Sequence, residues 1–162
     1  MKNVLFVCTA NSARSVLGEA LLRHKGSGRF ATFSAGSTPR GTVNPDALDC
    51  LSRHGLPTDG FRSKSWDEFA DPGGPEMDLI VTVCDSAAGE ACPVWLGHPL
   101  SVHWGIPDPA GIDGPEAARA AAFDLAYQRL ERRIDALLAL GDAVFSASDG
   151  RDRIAEIGRI DD

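Results

Sequence analysis

The residues with the most chemical content in this chain are four cysteines, Cys8, Cys50, Cys84 and Cys92. The first opens the segment Cys8-Thr9-Ala10-Asn11-Ser12-Ala13-Arg14-Ser15, a thiol followed after five residues by an arginine and a serine. That order suits attack on a tetrahedral oxyanion, which needs several donors on one side and a nucleophile beneath it. Backbone amides from Thr9 to Arg14 supply the donors if the segment forms a loop ahead of a helix. Arg14 adds a planar fork that holds two oxygens at once, a geometry lysine does not offer. The helix end and the guanidinium also favour a thiolate at Cys8, and Ser12 or Ser15 can donate to its sulfur. Asn11 suits a left-handed turn position.

Two further thiols bracket Cys84-Asp85-Ser86-Ala87-Ala88-Gly89-Glu90-Ala91-Cys92, and Asp108 stands before Pro109 in a turn. Cys84 and Cys92 with His98 and His103 could hold zinc, although this cysteine spacing is not the tight knuckle of structural sites and Cys8 is then left without a role. His103 reads as hydrogen-bonding at a strand end, and His24, His54 and His98 as surface or helix-end residues. Cys50, on a helical stretch with Ala47 and Leu51, reads as a small core hydrophobe.

The elements that position these groups follow from hydrophobic patterning. Val4-Leu5-Phe6-Val7 is a continuous apolar run, as expected of a strand buried on both faces, and it delivers Cys8 at its end. Ser15 to His24 carries apolar residues at helical spacing, with Lys25-Gly26 to end it. Phe30 to Ala35 reads as a strand, and Pro45 to His54 as a helix with proline at its start and Gly55 past its end. Leu79 to Val83 is a second apolar strand that delivers Cys84, and Leu100 to Trp104 is a weaker fourth. A long helix is expected from Pro115 to about Leu140, its stripe of Phe123, Tyr127, Leu130, Ile134 and Leu137 facing the sheet. The alternation implies one three-layer α/β domain over residues 1–141, a four-stranded parallel open sheet with helices on both faces. Such sheets place their active sites at the carboxyl ends of the strands, where Cys8 and Cys84 both lie. Residues 142–162 read as a polar C-terminal tail, loosely ordered or not ordered at all.

Composition narrows the function. A chain of 162 residues is long enough to bury a core without disulfide staples. Its formal net charge of −7 repels polyanions, so nucleic acid is not an expected partner and any anion site must be local. No run of about 18 apolar residues suggests a membrane span, and no signal-peptide pattern precedes Val4, so a cytoplasmic monomer is expected. In a reducing cytosol the thiols are core residues, metal ligands or redox groups rather than structural disulfides.

Together these segments resemble the low-molecular-weight phosphotyrosine phosphatase family, and within it the arsenate reductases that share its fold. The resemblance runs through Val4 to Ser15, Ser34-Ala35-Gly36, Asn44-Pro45-Asp46-Ala47, Asp78 to Cys84, His103-Trp104-Gly105 and Asp108-Pro109. It implies that Cys8 attacks the oxyanion, that residues 9–15 bind it, and that Asp108 protonates the departing oxygen. Asp108-Pro109 is followed by Ala110-Gly111, where a phosphotyrosine enzyme carries aromatic residues to grip the substrate ring. Cys84 and Cys92 have a use in a reductase and none in a phosphatase. Cys84 attacks the arsenylated Cys8, arsenite leaves, and Cys92 then takes the disulfide outward to a small redox protein. No tightly bound cofactor is implied; reducing equivalents come from thioredoxin or glutaredoxin, and phosphate or sulfate compete with arsenate. Seven residues separate Cys84 from Cys92, against six in the thioredoxin-coupled members. Asn11, Glu19 and Ser34 match the pattern of a monovalent-cation site found in some of them. The alternatives are a phosphatase for phosphate monoesters and a non-enzymatic oxyanion- or metal-binding module.

Overall fold

The computed structural model describes residues 1–84, 95 and 98–160. Strands β1 (Lys2–Cys8), β2 (Phe30–Gly36), β3 (Leu79–Thr82) and β4 (Leu100–His103) form one parallel sheet in the order β2-β1-β3-β4. The most apolar strands take the centre. Every residue of β1 from Val4 to Cys8 and all of β3 are buried, whereas β4, at the edge, buries only Val102. Register aligns Cys8 with Gly36 and Val7 with Thr82, so the carboxyl ends of β1, β2 and β3 share one rim.

Successive side chains of a strand point to opposite faces, which fixes what covers each. Phe6 faces helix α1 (Arg14–Lys25), so closely that a Cβ at Gly18 would lie 2.7 Å from the Phe6 ring. On the other face Phe33, the register neighbour of Leu5, meets Phe69 of the 3-10 turn Trp66–Phe69 at 5.5 Å between ring centroids. Helix α2 (Pro45–Arg53) is capped by the Asn44 side chain, which accepts from Asp46 N at 2.8 Å. Helix α3 (Glu116–Leu140) buries the expected stripe from Phe123 to Leu137, but mainly against α1 and α2 rather than on the strands, because α1 already lies over β1 and β2.

The C-terminal segment differs from the tail expected of it. After Gly141 (φ 77°) ends α3, a 3-10 turn (Asp142–Ser146) and helix α4 (Gly150–Ile157) bury Val144, Ile154 and Ile157. The Trp104 indole donates to Ile154 O at 3.0 Å, and Arg133, itself buried, donates to Trp104 O from α3. Three apolar residues dispersed among charges were too few to signal a helix whose partner is a tryptophan 50 residues upstream. Among the described residues no helix is long and apolar enough to cross a membrane.

Candidate active site

The strand β1 ends at Cys8, and residues 9–13 turn back over it into α1. No side chain caps that helix, so the amides of its first turn remain available to an anion. Asn11 takes the left-handed conformation (φ 47°) that brings the loop round, as its residue type suggests. The loop is held from outside by residues 37–44. Ser37, Thr38, Arg40 and Asn44 donate their amides to the carbonyls of Cys8, Thr9, Ala10 and Ser12, at 2.9–3.3 Å. With those carbonyls bonded outward, the loop is left to present its N–H groups inward.

Behind Cys8 runs a buried polar network whose polarity can be assigned. Asn11 Oδ1 accepts from Lys64 N at 2.9 Å, which makes Nδ2 the atom that donates to Ser15 Oγ (2.8 Å) and Ser34 Oγ (3.0 Å). Ser15 Oγ, being an acceptor from Asn11, has its own proton free for Cys8 Sγ at 3.0 Å. The backbone N–H of Asn11 also donates to Cys8 Sγ, at 3.2 Å. Two donors thus converge on the Cys8 sulfur. Ser34 in turn donates to Glu19 Oε1 at 2.5 Å, and the Arg23 guanidinium pairs with Glu19 Oε2.

Asn11, Glu19 and Ser34, expected around a monovalent cation, are brought together by this network. Both Glu19 oxygens and Asn11 Oδ1 are already bonded, and the positive charge beside Glu19 comes from Arg23. Lys64 is also buried, its Nζ donating to Arg62 O at 3.0 Å, and desolvation holds its ammonium below the usual lysine range.

At the mouth lies a cleft of about 190 Å³ lined by Cys8, Ala10, Ser12, Ala13, Arg14, Arg40, Asp108 and Ala110. That is below the roughly 300–1,000 Å³ of pockets for drug-sized ligands, and among the described residues no aromatic side chain lines it. Arg14 is anchored by Nη1 donating to Ile106 O at 3.0 Å, and its Nη2 lies 3.8 Å from Asp108 Oδ2. Asp108 Oδ1 caps the following turn by accepting from Ala110 N at 2.9 Å, which leaves Oδ2 the oxygen nearer the arginine. Sequence reasoning missed Arg40. It sits in a Thr-Pro-Arg-Gly turn with no periodicity to announce it, and only the pairing of residues 37–44 with the anion loop carries it to the cleft.

Cys84 follows β3 at the same rim. Its strand is hydrogen-bonded to β1, the buried thiol carries no disulfide, and Thr9 Oγ1 lies 3.6 Å from its Sγ. Cys92, the other thiol of that segment, lies outside the described residues. Of the zinc alternative, His103 Nδ1 is 2.7 Å from Thr82 Oγ1 and His98 is exposed, on a left-handed backbone (φ 50°). Cys50 is fully buried, as its place among Ala47 and Leu51 implies; desolvation, then the facing Asp124, push its thiol up to about 12.

Comparison with known proteins places this architecture. An arsenate reductase of Brevibacillus brevis is 37% identical over 118 residues, covering 73% of this chain and 84% of that one. Another, from Bacillus licheniformis, is 30% identical over 87% of this chain and 98% of its own length. Among solved structures, arsenate reductase from Archaeoglobus fulgidus aligns with a TM-score of 0.60 at 29% identity, over 82% of this chain and 98% of that one. A low molecular weight protein tyrosine phosphatase from T. tengcongensis shares the fold, at a TM-score of 0.71 and 20% identity over 87% of this chain and all of its own. The family model for low molecular weight phosphotyrosine protein phosphatase matches residues 3–146, which takes in the whole sheet, the anion loop and α3, and the chain belongs to that family.

Proposed function

We propose that this protein reduces arsenate to arsenite. The observation that carries this reading is the second buried thiol, Cys84, at the rim of the anion loop that holds Cys8. A phosphomonoesterase has no use for it. The small cleft, with no aromatic side chain among its described lining residues, favours a free inorganic oxyanion over an aryl ester, and the relatives named as arsenate reductases support the reading.

Residues 9–15 and Arg14 hold the oxyanion, and the Cys8 thiolate attacks arsenic while one oxygen leaves with a proton from Asp108. The adduct then carries a Cys8–arsenic(V) bond. Cys84, as thiolate, attacks Cys8 Sγ; the sulfur–arsenic bond breaks, its electron pair stays on arsenic, and arsenite leaves a Cys8–Cys84 disulfide. Cys92 attacks Cys84 Sγ, which frees Cys8 as thiolate and moves the disulfide to Cys84–Cys92, where the dithiol of thioredoxin or glutaredoxin reduces it. The first disulfide requires Cα atoms within about 7 Å. Phosphate and sulfate, with the same shape, compete for the loop. The test is arsenate-dependent NADPH oxidation coupled through thioredoxin and thioredoxin reductase, repeated with a glutaredoxin system. Turnover in either supports the reading, and absence from both sinks it.

A further inference from the structure

On the side of the molecule where α2 meets α3, Cys50, His54 and Asp124 converge without any role in the chemistry above. Each offers one ligand atom, and the three atoms lie within 4.8 Å of one another. Cys50 Sγ is 3.6 Å from Asp124 Oδ1, and His54 Nε2 is 3.2 Å from the same oxygen. Zinc–ligand bonds of about 2.0–2.3 Å at tetrahedral angles require ligand-to-ligand edges of about 3.3–3.6 Å. The two edges at Asp124 Oδ1 lie close to that range, and the Cys50–His54 edge, within 4.8 Å, is to be closed by side-chain adjustment.

We infer that Cys50, His54 and Asp124 form a three-ligand site for a thiophilic divalent cation of the zinc type, with Arg53 as the cation that guards it in the metal-free protein. Cys50 and His54 are four residues apart, one helical turn, so the thiol and the imidazole reach the same side of α2. His54 ends that helix, where the dipole favours positive charge, and its ring is stacked on Tyr127 at 3.9 Å and 10°, which orients Nε2. The Cys50 backbone is in the core while His54 and Asp124 are about one-third exposed, so the fourth position opens to water. Arg53 Nη2 pairs with Asp124 Oδ1 at 2.7 Å and also donates to Ala120 O at 3.3 Å; with its side chain 40% exposed, the guanidinium must swing into solvent for a metal to take its place. Binding replaces the Cys50 thiol proton by metal and releases one proton per ion.

Cobalt(II) is the probe, added to a full-length protein carrying Cys8→Ser, Cys84→Ser and Cys92→Ser so that Cys50 is its one thiol. One equivalent binds with a thiolate-to-cobalt charge-transfer band and one proton released. His54→Gln weakens binding by more than about 100-fold, beyond the loss of a merely supporting group, and Arg53→Gln tightens it about tenfold because the competing cation is gone. Cys50→Ser abolishes the band. The exposed positions His54 and Arg53 keep the test valid if that buried serine prevents folding. No charge-transfer band in the parent, a band that survives Cys50→Ser, or equal affinity in the His54→Gln protein would each overturn the site.

Discussion

Two donors converge on the Cys8 sulfur, and of these Ser15 is the one whose side chain can be removed. Ser15→Ala takes away the hydroxyl 3.0 Å from Cys8 Sγ and leaves the loop backbone in place. A hydrogen bond to a charged group is worth about 1.5–3 kcal/mol, so the rate of Cys8 alkylation at neutral pH falls about 10- to 150-fold; unchanged alkylation refutes the donor role. Arg40 acts at longer range. Exposed at the rim of the cleft, it contributes attraction that salt screens, so Arg40→Gln raises KM for arsenate a few-fold with kcat unchanged and flattens the dependence of kcat/KM on ionic strength. Steady-state kinetics at low and high salt decide this, and a fall in kcat alone contradicts it. At this scale the sequence was legible where contacts are local. The loop from Cys8 to Ser15 could be read because its chemistry is contiguous, whereas Arg40 and the Ser34–Glu19 hydrogen bond depend on which segments the fold brings alongside.

Among the elements, a close tolerance bearing on the site lies where β2 leaves the sheet beneath the loop that follows Cys8. A Cβ at Gly36 would lie 2.4 Å from Thr9 O and 3.0 Å from Asn11 Cβ, so only glycine lets the two segments pass. Gly36→Ala therefore displaces the loop: oxyanion affinity, measured by calorimetry with phosphate, drops at least tenfold while circular dichroism keeps the native secondary structure. Retained affinity contradicts this packing. The four strands, α1 to α3 and their order along the chain were readable from apolar runs and helix-end residues, because β1 and β3 are buried on both faces and α3 repeats its stripe for 25 residues. Helix α4 was not. With eight residues, four of them charged, its structure depends on Trp104 and the edge of the sheet rather than on its own periodicity.

For the whole molecule, that last helix is part of the core. Ile154 is fully buried, so Ile154→Ala costs about 2–5 kcal/mol and lowers Tm by several degrees in thermal denaturation, without changing KM for arsenate; a loosely ordered tail would give no shift. In the proposed function an acidic protein, net −7, handles an anion through positive charge gathered locally at Arg14, Arg40 and the start of α1. What separates a reductase from a phosphatase on this fold is whether electrons pass from Cys84 to the arsenylated Cys8. The most direct measurement is arsenite released in a single turnover, with pre-reduced protein, excess arsenate and no external reductant. Wild type should release one arsenite per chain, and Cys84→Ser none, while Cys84→Ser still binds phosphate as tightly as wild type. Stoichiometric arsenite from Cys84→Ser would contradict the relay.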